Sequence, residues 1–182
     1  MILEALIISL LIIYFARGSF EKIWNMKFKG IGLAFGGVFI LLAINFFTAR
    51  DFGSPSYFLV ETYFYFHLLG LALVFLFFIV NYKKRGMTFI GFGLLLNMLA
   101  ILFNGKMPVS LRALERIGNL RTLQIIEGGK SLSHGIFQNP KLFFLGDIIP
   151  LAKPYIMPKV ISLGDIIISI GIIITLVMIS RR

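Results

Sequence analysis

YFLVETYFYFHLLGLALVFLFFIV, residues 57–80, decides the fold of this chain. Across it only Glu61 and His67 can carry charge near neutral pH. A bilayer core about 30 Å thick takes roughly 20 apolar residues in a helix, so the stretch reads as a membrane span. Comparable runs occur at about Ile31–Thr48, Met87–Phe103 and Val160–Ile179. A shorter one, Ile2–Phe15, is broken only by Glu4 and Ser9. Composition agrees: 58% of the 182 residues are hydrophobic and 14% charged, whereas soluble domains carry about a quarter charged residues. The expectation is one all-α polytopic membrane domain of about five helices, with a folded segment over residues 104–159.

The first run differs from a signal peptide. Its positive charge follows the apolar stretch, at Arg17, Lys22, Lys27 and Lys29, and no small-residue cleavage site comes after it. It reads as a retained, short first helix. Orientation follows from basic residues in short loops, which favour the cytoplasm. With Arg17, Lys22, Lys27, Lys29, Lys83, Lys84, Arg85, Arg181 and Arg182 on one side, the opposite short loop holds only Arg50, beside Asp51. The expected topology is N-terminus outside, C-terminus inside, in a bacterial cytoplasmic membrane. Residues 19–28, with Phe20, Ile23, Trp24 and Phe28, fit a segment lying along the inner interface.

The formal charge of +10 raises the possibility of a nucleic-acid partner. Half the cations are explained by topology and nearly all the rest fall in the outer segment, so no nucleic-acid partner is expected. That segment, with 8 basic and 3 acidic residues, would suit anionic lipid headgroups or acidic envelope polymers; ordinary solvated charge is the simpler reading. There is no cysteine, which excludes disulfides, thiolate metal sites and cysteine nucleophiles. No cofactor and no metal are expected, because no second histidine stands at ligand spacing from the first.

Polar groups inside a bilayer are costly and mark sites or buried pairs. Glu61 and His67 stand roughly 120° apart on a helix and share no face. Glu61 suits snorkelling to the outer interface, and His67 a helix-to-helix hydrogen bond. Asn97 and Asn104, seven residues apart, lie on nearly one helical face, and Asn97 at mid-span needs a partner. Gly32 and Gly36 form a small-xxx-small pair that permits close helix approach.

Beyond residue 104 the chain turns sharply, with Ser110 placed to cap a short surface helix over Leu111–Ile117. A second short helix or strand follows at Leu120–Ile126, then a polar turn around His134 and a stretch punctuated by prolines. One pentapeptide occurs twice: Leu145-Gly146-Asp147-Ile148-Ile149 and Leu163-Gly164-Asp165-Ile166-Ile167. Asp165 opens the last helix, where a carboxylate can cap free N–H groups. Asp147 has no such local explanation in so apolar a stretch.

These residues carry two resemblances. Asn104-Gly105-Lys106-Met107-Pro108-Val109, His134, Gly146-Asp147-Ile148-Ile149-Pro150 and Ser162-Leu163-Gly164-Asp165 resemble an uncharacterised bacterial membrane family, a domain of unknown function, over nearly the whole chain. Residues 145–174 are also similar to the catalytic end of lipoprotein signal peptidase, a membrane aspartic protease. Asp147-Ile148-Ile149 matches its first block; Ser162-Leu163-Gly164-Asp165, then Ile168 and Gly171, matches its second. Ser162 stands where that family has Asn, Gly164 where it has Ala, and its Asn-x-x-Asp-Arg signature is missing. The likeness implies that Asp147 and Asp165 form a catalytic pair at the outer face.

Two functions of different class are therefore expected as alternatives. One is an aspartic-type membrane hydrolase acting on a lipid-linked or membrane-inserted substrate, with Asn97, Asn104, His134 and Ser162 as supporting residues of an outward pocket. The other is a non-catalytic assembly or accessory subunit. In it Asp165 is a helix cap, and Asp147 bonds backbone or a basic residue such as Lys141 or Lys153. A cation or headgroup site at the two acids, or a small transporter, are lesser alternatives.

Overall fold

A computed structural model describes residues 1–181; Arg182, grouped above with the inner cations, lies outside the described residues. The fold is that of an all-α polytopic membrane protein. Four helices are long and apolar enough to cross a membrane: α3 (Ile31–Thr48), α5 (Tyr63–Val80), α6 (Met87–Asn104) and α9 (Leu163–Arg181). The shorter apolar helix α1 (Ile2–Phe15) rises only about 21 Å at 1.5 Å per residue. Large side chains on the bundle surface, among them Phe35, Phe39 and Leu42, are exposed, as suits helices whose solvent is hydrocarbon.

Two spans begin later than the hydropathy suggests. The apolar run from Tyr57 is divided at Thr62, which stands between two helices and whose hydroxyl and N–H both donate to the Phe58 carbonyl, at 2.6 and 3.0 Å. Residues before the break form α4 (Ser54–Glu61), with Glu61 exposed at its end. The last helix starts at Leu163 because Lys159–Ile161 (β4) pairs antiparallel with Ile149–Leu151 (β3).

Small residues decide which helices meet. A Cβ on Gly37 would lie 2.5 Å from the Gly70 carbonyl oxygen, so α3 and α5 touch backbone to backbone there. A Cβ on Gly93 would lie 2.5 Å from the Gly164 carbonyl oxygen, which brings α6 against α9. Gly32 and Gly36 do not serve this purpose: the first has nothing within 4 Å, the second only the Leu73 side chain at 4.0 Å. One residue along a helix is about 100° around it, which separates Gly36 from the contact that Gly37 makes.

The two ends of the bundle differ. At one, Ser19 N–H donates to the Ser180 carbonyl at 2.9 Å, and the short helix α2 (Phe20–Trp24) lies alongside, its Trp24 exposed. Buried Asn81 accepts from Lys29 N–H at 3.0 Å and donates to the Lys29 carbonyl at 2.8 Å, so the approach to α3 is clamped to the end of α5. At the other end sits the folded segment 105–162. Its strand Met107–Pro108 (β1) pairs parallel with His134–Gly135 (β2). Ser110 caps α7 (Leu111–Ile117), and α8 (Leu120–Glu127) follows. Val109, Leu114 and Ile117 form a buried cluster against Leu123, Ile126 and Val160. The segment is tied to α1 by Glu4, which accepts from Tyr155 Oη at 2.8 Å and pairs with Lys159.

Candidate functional site

Two main-chain bonds place Asp147. Its N–H donates to the Pro108 carbonyl at 2.8 Å, and its carbonyl accepts from Ser110 N–H at 2.9 Å. Val109 and Asp147 thereby form an isolated parallel bridge that extends the β1 side of the segment. With its main chain held, its side chain turns inward and is 11% exposed. One carboxyl oxygen lies 3.4 Å from His134 Nε2, at the long edge of hydrogen-bonding distance. Neither Lys141 nor Lys153 pairs with it among the described residues.

His134 is positioned by the neighbouring strand. Its N–H donates to Ser131 Oγ at 3.1 Å, and its Nδ1 lies 2.7 Å from Ser133 Oγ. The ring forms part of the wall of two cavities, so much of its accessible face looks into confined space rather than bulk water. Burial holds its pKa below the ordinary imidazole value, partly opposed by the charge of Asp165.

Asp165 enters from α9 and closes a hydrogen-bonded triangle. Its N–H donates to Ser162 Oγ at 3.0 Å while Ser162 N–H reaches back to its carboxylate at 3.4 Å. This is a reciprocal cap of the helix start. Asn97, on α6, donates its amide to the other carboxylate oxygen at 3.1 Å and accepts the Ser162 hydroxyl at 2.8 Å. Asn97, inside α6, finds its partners here. Ser162 is fully buried, so Ser162→Ala should destabilise the protein by about 1–2 kcal/mol through cap loss alone. The check is a lower thermal midpoint in detergent, and an unchanged midpoint would mean that the triangle is not what fixes the start of α9.

Both aspartates line one cavity of about 320 Å³ with Asn97, His134, Tyr63 and His67. Asp147 feels Asp165 across it. Burial first, and the Asp165 charge second, push the Asp147 carboxyl up to about 7, because both favour the neutral acid. At neutral pH the Asp147 carboxyl thus retains part of its proton, while the Asp165 side chain is fixed by its amide and cap bonds.

Asn104 is not brought to this cavity. Its amide donates to the Ala100 and Lys141 carbonyls, each at 2.8 Å, and its oxygen accepts Lys141 N–H at 2.8 Å. That fastens the chain before residue 143 to the end of α6. The bundle instead supplies Tyr63 and His67, neither of which the sequence placed at the pocket. Their rings lie 5.3 Å apart, and Tyr63 Oη donates to Asn45 Oδ1 at 3.0 Å. Tyr63, His67 and Leu71 recur every four residues and line the cavity together. That spacing was the available signal.

Compared with known proteins, residues 25–177 match the model of a family of unknown function, DUF5317. No curated protein and no solved structure matches.

Proposed function

We propose, for a chain that belongs to DUF5317, a family of unknown function, an aspartic-type membrane hydrolase. Its substrate is a lipid-linked or membrane-inserted chain. The observation that carries this reading is the placement of Asp147 and Asp165 on one cavity, Asp147 pushed toward its neutral acid and Asp165 bonded to Asn97. Neutral Asp147 polarises the carbonyl of the scissile bond, Asp165 accepts a proton from the water that attacks it, and that proton passes to the leaving group as the scissile bond breaks. His134, on the Asp147 carboxyl, orients it.

The cavity opens at the end of the bundle that carries segment 105–162. Arg17, Lys22, Lys27, Lys29, Lys83, Lys84, Arg85 and Arg181 belong to the loops and termini of the other end. By the bias of basic loops toward the cytoplasm, the reading puts the acids at the outer face of a bacterial cytoplasmic membrane, with the N-terminus outside and the C-terminus inside.

One observation favours the accessory-subunit alternative: the Asp165 carboxylate already serves as helix cap and as partner of Asn97. Profiling of new protein termini and released lipid-linked fragments separates the two. Membranes carrying the wild type should gain cleavage products that Asp147→Asn and Asp165→Asn lack, by at least about a hundredfold, while the variants remain folded by size-exclusion profile. Identical products from wild type and both variants, or none from any, would overturn the hydrolase.

A further inference from the structure

At the opposite end of the bundle the fold builds a second concavity, of about 490 Å³. We infer that it is a binding site for the phosphate headgroup of an anionic membrane lipid. Five cations from two distant parts of the sequence line it: Lys22 and Lys27 around α2, and Lys83, Lys84 and Arg85 in the turn between α5 and α6. No carboxylate lines it, and none of the five has an ion-pair partner among the described residues.

Like charges repel, so bringing two basic segments together costs energy that something must offset. Part of the offset is internal. Asn81 holds Lys29, and with it the chain that follows Lys27, to the end of α5 just before Lys83. The Lys84 ammonium lies 5.2 Å from the centre of the Phe28 ring, a cation–π contact across the same junction. These contacts fix the backbones and leave Lys22, Lys83 and Arg85 without counter-charge. A phosphate group supplies it. Arg offers a planar fork suited to phosphate oxygens, and Lys compact point charges.

The wall of the concavity commits the source to a lipid rather than a free anion. Met178 and Ile179, from the last turns of α9, line it together with Met26. Trp24 and Phe20 on α2 stand exposed beside it, the amphipathic ring chemistry that settles at a membrane–water interface. A headgroup lodged among the cations would lay its acyl chains down the apolar side of α9.

The test uses the full-length protein in nanodiscs of phosphatidylcholine alone or mixed with phosphatidylglycerol, extracted gently and weighed with bound lipid by native mass spectrometry. Wild type should retain phosphatidylglycerol over phosphatidylcholine by at least tenfold. The triple variant Lys22→Gln, Lys83→Gln, Arg85→Gln should lose roughly a hundredfold of that retention. Arg112→Gln, Arg116→Gln, Arg121→Gln, the same charge removed at the other end, should keep it. Equal retention of both lipids by wild type would overturn the site, and that comparison stands even where the triple variant fails to fold. Equal loss in the two triple variants would also overturn it. Displacement of the lipid by millimolar inorganic phosphate would overturn the lipid assignment in favour of a soluble phosphate.

Discussion

Gly164→Ala should cost the protein several kcal/mol and leave little folded material in detergent. In a helix the change alone favours folding by up to about 1 kcal/mol, since alanine is the better helix former. Space decides against it. The new methyl would stand 2.1 Å from Asn97 Oδ1 and 2.5 Å from the Gly93 carbonyl oxygen. The Asn97 side chain could swing away, but only by giving up its bonds to Asp165 and Ser162, leaving buried polar groups unpaired at about 1–3 kcal/mol each. The Gly93 carbonyl is backbone and cannot move without pushing α6 off α9, an overpacking cost of about 1–3 kcal/mol. Gly32→Ala is the matching control, because nothing lies within 4 Å of the added carbon; it should be neutral or slightly stabilising. Thermal midpoints of both variants check this. A Gly164→Ala protein as stable as Gly32→Ala would mean that the α6–α9 contact is looser than described.

The second large effect is on pH dependence. A carboxyl whose pKa rises on folding, from 3.8 to about 7, binds its proton more tightly in the folded chain than in the unfolded one. Its contribution is therefore favourable to folding only while it stays protonated. Stability is highest below the unfolded value and is lost as pH climbs through about 4 to about 7, flattening above. The full span corresponds to at most about 4 kcal/mol. Asp147→Asn removes the titrating proton but keeps the shape. It should erase most of that slope and raise stability at pH 8 by about 2–4 kcal/mol. Asp165→Asn should bring the Asp147 value down only in part, because burial is the larger cause and the Asp165 charge the smaller. Unfolding midpoints measured from pH 4 to 8 decide it: an Asp147→Asn protein that keeps the wild-type slope would show that another group titrates there.

The helical character of the chain was legible because apolar runs in a bilayer have few alternatives. What escaped the reading was finer. The second long helix starts only after a break at Thr62, inside an apolar run that hydropathy averages over. The choice of Gly37 over Gly36 depends on helix rotation, which only the partner α5 fixes. At the site, Asp165 announced itself through its place at a helix start. Asp147 did not, since its position is set by main-chain bonds to Pro108 and Ser110, nearly forty residues away. Long-range pairing of that kind leaves no local pattern. Asn104 shares a helical face with Asn97 but lies beyond the last turn facing the cavity, where the main chain of Lys141 claims it.

Both acids are also positioned by the same neighbouring helix, α6. Asn97 of α6 grips the Asp165 carboxylate, and the chain leaving α6 carries, four and six residues further on, the Pro108 and Ser110 bonds that seat Asp147. Helix α6 is thus a common ruler for the gap between them. Bilayers of different thickness or lateral pressure tilt and slide spans past one another, yet a gap referenced at both ends to one rod keeps its width. The chemistry proposed for this rim would be insulated from the mechanics of the membrane around it.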